Sequence, residues 1–339
     1  MSFFSKRLGV DLGTINVLIS ERGQIVLQEP TLVALQAGED EYIVEIGQPA
    51  REMMGRVDEE DIQIVRPLQN GVIADYDVTV EMLRHFFGKV AGRISFFKPS
   101  VMVSIPWGGT SVEKRAVQEA ALEAGAREVF LIPEPLAAAI GAGLPVGTPA
   151  GDMVVNIGGG ITEAAVLTMN TIIRAESGRV GGLRMDEAII GYIRKKYGLT
   201  IGQPTAESVK IQVGAAITPA QPLAMDVQGR DNVSGLPRTI TITTGEVVEA
   251  LSEPLNQVAA VVKSVLGNTP PELASDIIDR GIVLTGGGAL LRGLDEFLTK
   301  QTGVPVYRAD HPLLVVALGA ARAMDDQAIL RRIVGPSLR

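Results

Sequence analysis

The chain has 339 residues, a formal net charge of −8 and a mean hydropathy of +0.24. This length suits two domains of ordinary size, and the acidic balance without any basic run argues against nucleic acid as a partner. The chain has no cysteine, which excludes disulfides and thiolate metal sites and fits a reducing cytoplasm. No run approaches the roughly 20 apolar residues that span a bilayer, and we expect no cleaved signal peptide.

The first predicted element is a β-hairpin near the N-terminus. Its turn holds three residues that are expected to contact phosphate, Gly13, Thr14 and Asn16. Glycine lets backbone N–H groups approach an anion closely. Asp11 lies at the end of the apolar strand before this turn, where a magnesium ion held through its waters would be a suitable partner. The alternative is an Asp that only bonds turn amides.

Short strands and helices alternate after this hairpin. Apolar β-branched runs predict the strands, and apolar residues at helical spacing predict the helices. In the first half we expect strands over 8–12, 16–20, 25–29, 32–36, 100–106 and 128–132, and helices over 76–90, 111–124 and 134–143. Glu134 begins the last of these helices between two prolines. Without further information it is equally well interpreted as a first-turn carboxylate that complements the helix dipole.

Two pairs of adjacent aromatic residues have cationic neighbours. Phe96 and Phe97 lie in a predicted loop and are followed by Lys98. Phe3 and Phe4 precede the basic pair Lys6 and Arg7 near the N-terminus. Exposed aromatics beside cations suit the surface of an anionic membrane. The alternative is that these rings belong to the core.

The second half repeats the opening pattern with a more glycine-rich turn. A strand over 153–157 runs into Gly158, Gly159 and Gly160 and resumes over 161–168, and Asn156 takes the place that Asp11 has in the first half. A tight hairpin needs one or two glycines, so three favour phosphate binding over a purely structural turn. We interpret this repetition as an internal duplication.

A third glycine turn follows a strand over 281–285. Gly286, Gly287 and Gly288 are predicted to open a helix that begins near residue 289. A further helix is expected over 184–197, and residues 218–243 suggest a small appended subdomain. The sequence contains neither G-x-x-x-x-G-K-[ST] nor G-x-G-x-x-G, so the common phosphate-binding motifs are absent.

The ordered set of three glycine turns resembles the actin-like ATPase superfamily, and within it the MreB family of bacterial actins. The narrower resemblance covers essentially the whole chain and is carried by the segments 71–76, 134–144, 185–189, 236–238 and 269–273. It implies an α/β actin-like ATPase fold, with two related RNase H-like halves around a nucleotide cleft and small appended subdomains.

The resemblance also implies the limits of the domains. Domain I would comprise residues 1–140 and 307–339, with a small subdomain at about 31–72. Domain II would comprise 141–306, with a small subdomain at about 182–243.

The resemblance assigns roles to the candidate site residues. ATP or ADP with Mg²⁺ is the implied cofactor, with Asp11 on the magnesium side and the two hairpins on the phosphates. Glu134 would orient the attacking water, and the third glycine turn would hold the adenosine side. Glu207 and Lys210 match positions that touch ribose and base; their alternative is an exposed ion pair three residues apart on a helix.

The implied function is a cytoskeletal filament protein that supports rod cell shape. Such proteins form paired protofilaments at the inner face of the cell membrane, use a hydrophobic loop at the position of Phe96 and Phe97, and act with membrane proteins of cell-wall elongation. One alternative is a small-molecule kinase on the same fold, although neither a substrate base nor substrate-binding insertions are visible. A chaperone ATPase would need a further substrate-binding domain.

Three residues depart from the MreB pattern. Asn156 stands where the family has Asp, Ile161 where it has Thr, and Leu183 where it has Asp in a Gly-Gly-Asp turn. The first removes a carboxylate beside magnesium, and the second removes a hydroxyl that helps to hold the attacking water. These departures are compatible with nucleotide binding and predict slow hydrolysis.

Overall fold

The structure is a computed structural model that describes residues 6–38, 42–91 and 98–334. The strands, in chain order, are β1 (Arg7–Leu12), β2 (Asn16–Glu21), β3 (Gln24–Pro30), β4 (Val33–Gln36), β5 (Tyr42–Ile46), β6 (Ile62–Val65), β7 (Leu68–Gln69), β8 (Val72–Ile73), β9 (Ser100–Ile105), β10 (Glu128–Pro133), β11 (Asp152–Ile157), β12 (Thr162–Thr168), β13 (Thr171–Gly178), β14 (Leu199–Thr200), β15 (Ala224–Asp231), β16 (Pro237–Thr243), β17 (Ile282–Thr285) and β18 (Val306–Arg308).

The helices alternate with these strands along much of the chain. They are α1 (Gln48–Met53), α2 (Tyr76–Ala91), α3 (Ser111–Glu123), α4 (Glu134–Gly141), α5 (Gly182–Tyr197), α6 (Gln203–Val213), α7 (Thr244–Gly267), α8 (Pro271–Arg280), α9 (Leu294–Thr302), α10 (Val315–Asp325) and α11 (Gln327–Val334). None of the helices in the described ranges is long and apolar enough to cross a membrane.

Two five-stranded mixed sheets have the same topology. Their orders are β10-β9-β1-β2-β3 and β13-β12-β11-β17-β18. In each sheet the central strand, β1 or β11, pairs antiparallel with the next strand of its hairpin and parallel with a later strand. This agreement supports the predicted duplication, and it brings the ends of β1 and β11, which carry Asp11 and Asn156, to equivalent places.

An apolar layer joins the two large sheets. Side chains from β10, α4, β11 and α10 form one buried cluster, and α4 packs directly on α10. The contact is close because glycines face backbone: a Cβ at Gly141 would lie 1.8 Å from the Val315 carbonyl oxygen, and one at Gly319 would lie 1.8 Å from that of Ala137. This packing fixes α4, whose first residue is Glu134.

Each half carries a smaller sheet near the predicted subdomains. One has the order β5-β4-β6 and lies beside α1, and the other has the order β14-β15-β16 and lies beside α5 and α6. The residue limits of the domains and subdomains stay predictions.

The predicted helix after the third glycine turn is wrong. Gly287–Leu290 form a single 3₁₀ turn, and α9 begins only at Leu294. Gly293 precedes α9 with a positive φ of 69°, a backbone conformation that interrupts a continuous helix and that glycine adopts readily. Helices α1, α7 and α8 were not predicted.

Candidate nucleotide site

A cleft of about 350 Å³ lies between the two large sheets. Its lining includes every candidate nucleotide residue that the sequence indicated: Asp11, Gly13, Thr14, Asn16, Glu134, Asn156, Gly158, Gly159, Gly160, Glu207, Lys210, Gly286, Gly287 and Gly288. The structure therefore brings together residues that are up to 277 positions apart in the chain, although their individual roles stay predictions.

Side chains hold the first hairpin in place. The Thr31 hydroxyl donates to the Gly13 carbonyl at 2.7 Å, and the Thr14 hydroxyl accepts from the Gly71 N–H at 3.0 Å. Ser104 donates to Asp11 Oδ1 at 3.2 Å. Burial raises the pKa of Asp11 to about 7, while the Ser104 bond opposes this shift. A cation nearby would favour the ionised form of this carboxyl.

Backbone groups hold the second hairpin. Gly158 N–H donates to the Ile161 carbonyl at 2.9 Å, and Leu183 N–H donates to the Gly159 carbonyl at 2.8 Å. The first turn of α5 therefore supports the hairpin through main-chain atoms, which Leu183 provides as well as Asp would. A Cβ at Gly159 would lie 2.1 Å from Ile15 Cγ1, so only glycine fits between the two hairpins.

Glu134 lies at the inner end of the cleft with 7% exposure. The Asn156 amide nitrogen donates to Glu134 Oε2 at 3.2 Å, and the Thr285 hydroxyl donates to Asn156 Oδ1 at 3.2 Å. Both ends of the Asn156 amide are thus engaged. The sequence indicated only a lost carboxylate at this position, whereas the structure adds a donor to Glu134 that Asp could not supply.

Glu163 is a buried acid that sequence reasoning missed. It lies in β12 directly opposite Asn156 with 0% exposure, and its Oε1 accepts from the Trp107 backbone N–H at 2.6 Å. Burial raises the pKa of Glu163 to about 7. Burial also raises the pKa of Glu134 well above its usual value, and the negative charges of Glu163 and Asp11 raise it further. The available signal was a single ionisable residue in β12, whose other residues are Thr, Ala, Val and Leu, directly after the glycine hairpin.

The third glycine turn fits tightly against β11. A Cβ at Gly286 would lie 2.4 Å from the Ile157 carbonyl oxygen, and one at Gly288 would lie 2.2 Å from Ile157 Cγ2. Gly287 has more room, since its nearest atom, Leu313 Cδ1, is 3.3 Å away. The first and third glycines therefore constrain this turn more than the second.

Glu207 and Lys210 have different partners. Lys210 Nζ lies 2.7 Å from Asp186 Oδ1 and donates to the Gly182 carbonyl at 2.9 Å. Glu207 Oε2 accepts from Arg51 Nη2 at 2.6 Å. Because Arg51 belongs to α1 and Glu207 to α6, this ion pair joins the two sides of the cleft. The sequence suggested neither Arg51 nor Asp186.

The four candidate membrane residues, Phe3, Phe4, Phe96 and Phe97, lie outside the described residues. Their proposed role therefore depends on sequence alone.

Comparison with known proteins gives consistent relatives. The sequence model of the MreB/Mbl protein family matches residues 5–332. The cell shape-determining protein MreB of Escherichia coli K12 is 49% identical over 328 residues, covering 95% of this chain and 94% of the relative. The cell shape-determining protein Mbl of Bacillus subtilis 168 is 45% identical over 324 residues, covering 95% and 97%.

Solved structures agree with this result. MreB5 of Spiroplasma citri bound to AMPPNP superposes with a TM-score of 0.91 at 34% identity, covering 98% of this chain and 99% of that one. The MamK double helical filament has a TM-score of 0.80 at 21% identity, covering 95% and 99%, and shows the shared fold.

The two matching sheets around a glycine-lined cleft define an α/β protein of the actin-like class, as the sequence predicted. Within that class the chain belongs to the MreB/Mbl family. The resemblance that the sequence suggested is therefore confirmed.

Proposed function

We infer that this chain is an ATP-binding cytoskeletal protein that supports cell shape. The observation that carries this inference is the single cleft that collects all three glycine turns, Asp11 and Glu134 in a member of the MreB/Mbl family. The characterised relatives are cell shape-determining proteins. These relatives do not favour the small-molecule kinase alternative.

The cleft chemistry fits ATP or ADP with Mg²⁺. Structures of Spiroplasma citri MreB5 contain AMPPNP and ADP, and the lining here has glycine turns for a phosphate chain on both sides. Asp11 and the Asn156 amide oxygen are the hard oxygen donors that suit Mg²⁺, with Asp11 acting through water. Bound Mg²⁺ would neutralise phosphate charge during hydrolysis.

Glu134 is the residue that we assign to water positioning. It is buried at the inner end of the cleft, and Asn156 orients its carboxyl. Ile161 also lines the cleft and is 5% exposed, where its apolar side chain offers no hydrogen bond to water. We therefore propose that this chain is a slow ATPase.

Self-association into paired protofilaments on the inner face of the cell membrane completes the proposal. The actin-like fold and the MamK filament support assembly, and the adjacent phenylalanines with cationic neighbours support membrane contact. A single short loop binds lipid weakly, so a polymer would bind through many copies at once. Membrane proteins of cell-wall elongation are further proposed partners.

Sedimentation tests the proposed function. The native chain is spun with no nucleotide, with ADP and with ATP, each with and without vesicles that contain anionic lipid. We expect ATP to move protein into the pellet and vesicles to increase that fraction. A chain that binds ATP but stays in the supernatant under all conditions would contradict the filament function and return attention to the kinase alternative.

The membrane contact has its own test. Replacing Phe96 and Phe97 by Ser removes side chains worth about 1.5–3 kcal/mol each when fully buried, and less at an interface. Co-pelleting with vesicles should fall sharply while calorimetric ATP affinity persists. Unchanged pelleting would place these rings elsewhere, and loss of the folded state would place them in the core.

A further inference from the structure

Glu163 connects elements from both sides of the cleft. It belongs to β12 of the second large sheet, whereas Trp107 follows β9 of the first. The 2.6 Å bond from Trp107 N–H to Glu163 Oε1 therefore crosses between the halves. The register also places Glu163 opposite Asn156, whose amide donates to Glu134. One side chain thus lies among the Trp107 turn, Asn156 and Glu134.

The second carboxyl oxygen of Glu163 distinguishes it from a residue with a purely structural role. Glu163 is fully buried, and its Oε2 has no hydrogen-bond partner among the described residues. Buried polar atoms are nearly always satisfied in native proteins, so this exception calls for a water or for a proton shared with the neighbouring Glu134 carboxyl. The neighbours of Glu163 in β12 are buried Thr162 and Ala164, and a small or apolar residue would fill the strand without this unsatisfied atom.

We propose that Glu163 is a positioning residue for ATP hydrolysis, which holds the Trp107 turn of one half and aligns Glu134 in the other part of the site. This inference rests on the proposed ATPase function. In this arrangement Trp107 N–H fixes Glu163 Oε1, and the Glu163 carboxyl lies within hydrogen-bonding reach of the Glu134 carboxyl, which is assigned to the attacking water. Removing the carboxylate therefore leaves the nucleotide contacts intact and misaligns Glu134.

Two substitutions separate the two contacts of Glu163. Glu163→Gln keeps an oxygen that accepts from Trp107 N–H but loses the carboxylate that faces Glu134. Glu163→Ala loses both. The matched control is Glu176→Gln, which removes the same charge from an exposed position on the neighbouring strand β13.

The first readout is single-turnover phosphate release beside calorimetric ATP affinity. We expect both Glu163 variants to release phosphate more slowly, by up to about a hundredfold, because a small misplacement of a catalytic group has effects of that order. Affinity should stay within about threefold of the native value. A structural role alone would lower affinity and thermal stability together with the rate, which would overturn the proposal.

The second readout needs no activity, because Trp107 is the single tryptophan of the chain. In nucleotide-free protein, acrylamide quenching of its fluorescence should increase in Glu163→Ala, while Glu163→Gln and Glu176→Gln stay native. Native quenching and native release in both Glu163 variants would overturn the inference. If Glu163→Ala does not fold, a native release rate in Glu163→Gln overturns it alone.

These outcomes separate the inference from the proposed function. A native chain that binds no ATP contradicts the proposed function, and the fluorescence comparison then still decides whether Glu163 holds the Trp107 turn. If the native chain hydrolyses ATP and the Glu163 variants match it in both readouts, the proposed function stands and only the proposed role of Glu163 is overturned.

Discussion

The two phosphate hairpins follow equivalent strands, β1 and β11, and main-chain bonds hold both, but only the turn of the first is also held by side-chain hydroxyls. Hydroxyls of Thr31 and Thr14 fix the first hairpin, and Ser104 contacts its carboxylate. The second hairpin is held by main-chain bonds from its own turn and from the start of α5. One duplicated element has therefore been stabilised in two ways.

The two hairpins also differ in charge. The first hairpin has the carboxylate of Asp11. The second has Asn156, whose amide donates a hydrogen bond to Glu134 and accepts one from Thr285. Asp11 and Glu134 already line the cleft, and Glu163 lies buried behind it, so acid groups are close together in this region. A neutral residue at position 156 avoids adding a further negative charge there. The first hairpin should thus tolerate graded side-chain changes, while the second should fail abruptly when its backbone space is filled.

The largest expected effect is a steric block of the second hairpin. Gly159→Leu would force a side chain into the space of Ile15, because even a Cβ would lie 2.1 Å from Ile15 Cγ1. We expect calorimetric ATP binding to be lost. Gly191→Leu is the control, since a Cβ there meets nothing within 4 Å. If Gly159→Leu binds ATP with native affinity, the second hairpin does not contact the phosphates.

The next largest effect concerns hydrolysis. Asn156→Asp combined with Ile161→Thr restores the two family residues, and we expect single-turnover phosphate release to rise by about a hundredfold to a thousandfold, by analogy with one transition-state contact. The single variants sharpen this test. Ile161→Thr should give most of the gain, because Asn156→Asp also removes the amide donor to Glu134.

Two results would contradict this account of the departures. If release from the double variant is no faster than native, other groups compensate for Asn156 and Ile161. A native rate that already equals that of a relative with Asp and Thr at both positions would lead to the same conclusion.

The sequence was sufficient to predict cleft-lining residues where the pattern is local, although their roles stay predictions. Strand ends followed by glycines, as at Gly13 and Gly158, are local patterns, and the structure brings them to one cleft as predicted. Glu163 and Arg51 were missed because their significance lies in contacts with residues 56 and 156 positions away. The prediction of a helix from residue 289 was wrong because the spacing of apolar residues does not reveal the backbone break at Gly293. Pairing between distant segments was the information that local patterns lacked.

A smaller effect is expected at the first hairpin. Asp11→Ala removes a carboxylate that is proposed to act on Mg²⁺ through water, and loss of such an outer contact typically lowers metal affinity about tenfold to a hundredfold. Calorimetry with ATP should show this loss in Mg²⁺ and little change in EDTA. An equal loss under both conditions would mean that Asp11 supports the fold of the turn instead of the cation.

The smallest expected effect is on the pH dependence of stability, and it compares the two strand ends directly. Burial raises the pKa of Asp11 from 3.8 to about 7, so between these values the folded nucleotide-free chain keeps a proton that the unfolded chain has lost. The free energy of unfolding therefore falls as pH rises through this window, and above it this group causes no further change with pH. Asp11→Asn should remove about 1.4 kcal/mol of this fall for each pH unit inside the window, whereas Asn156→Asp should steepen it by adding a buried acid beside Glu134. Urea unfolding at a series of pH values measures both slopes, and parallel curves for the two variants and the native chain would show that the acids of this cleft titrate as they do in the unfolded chain.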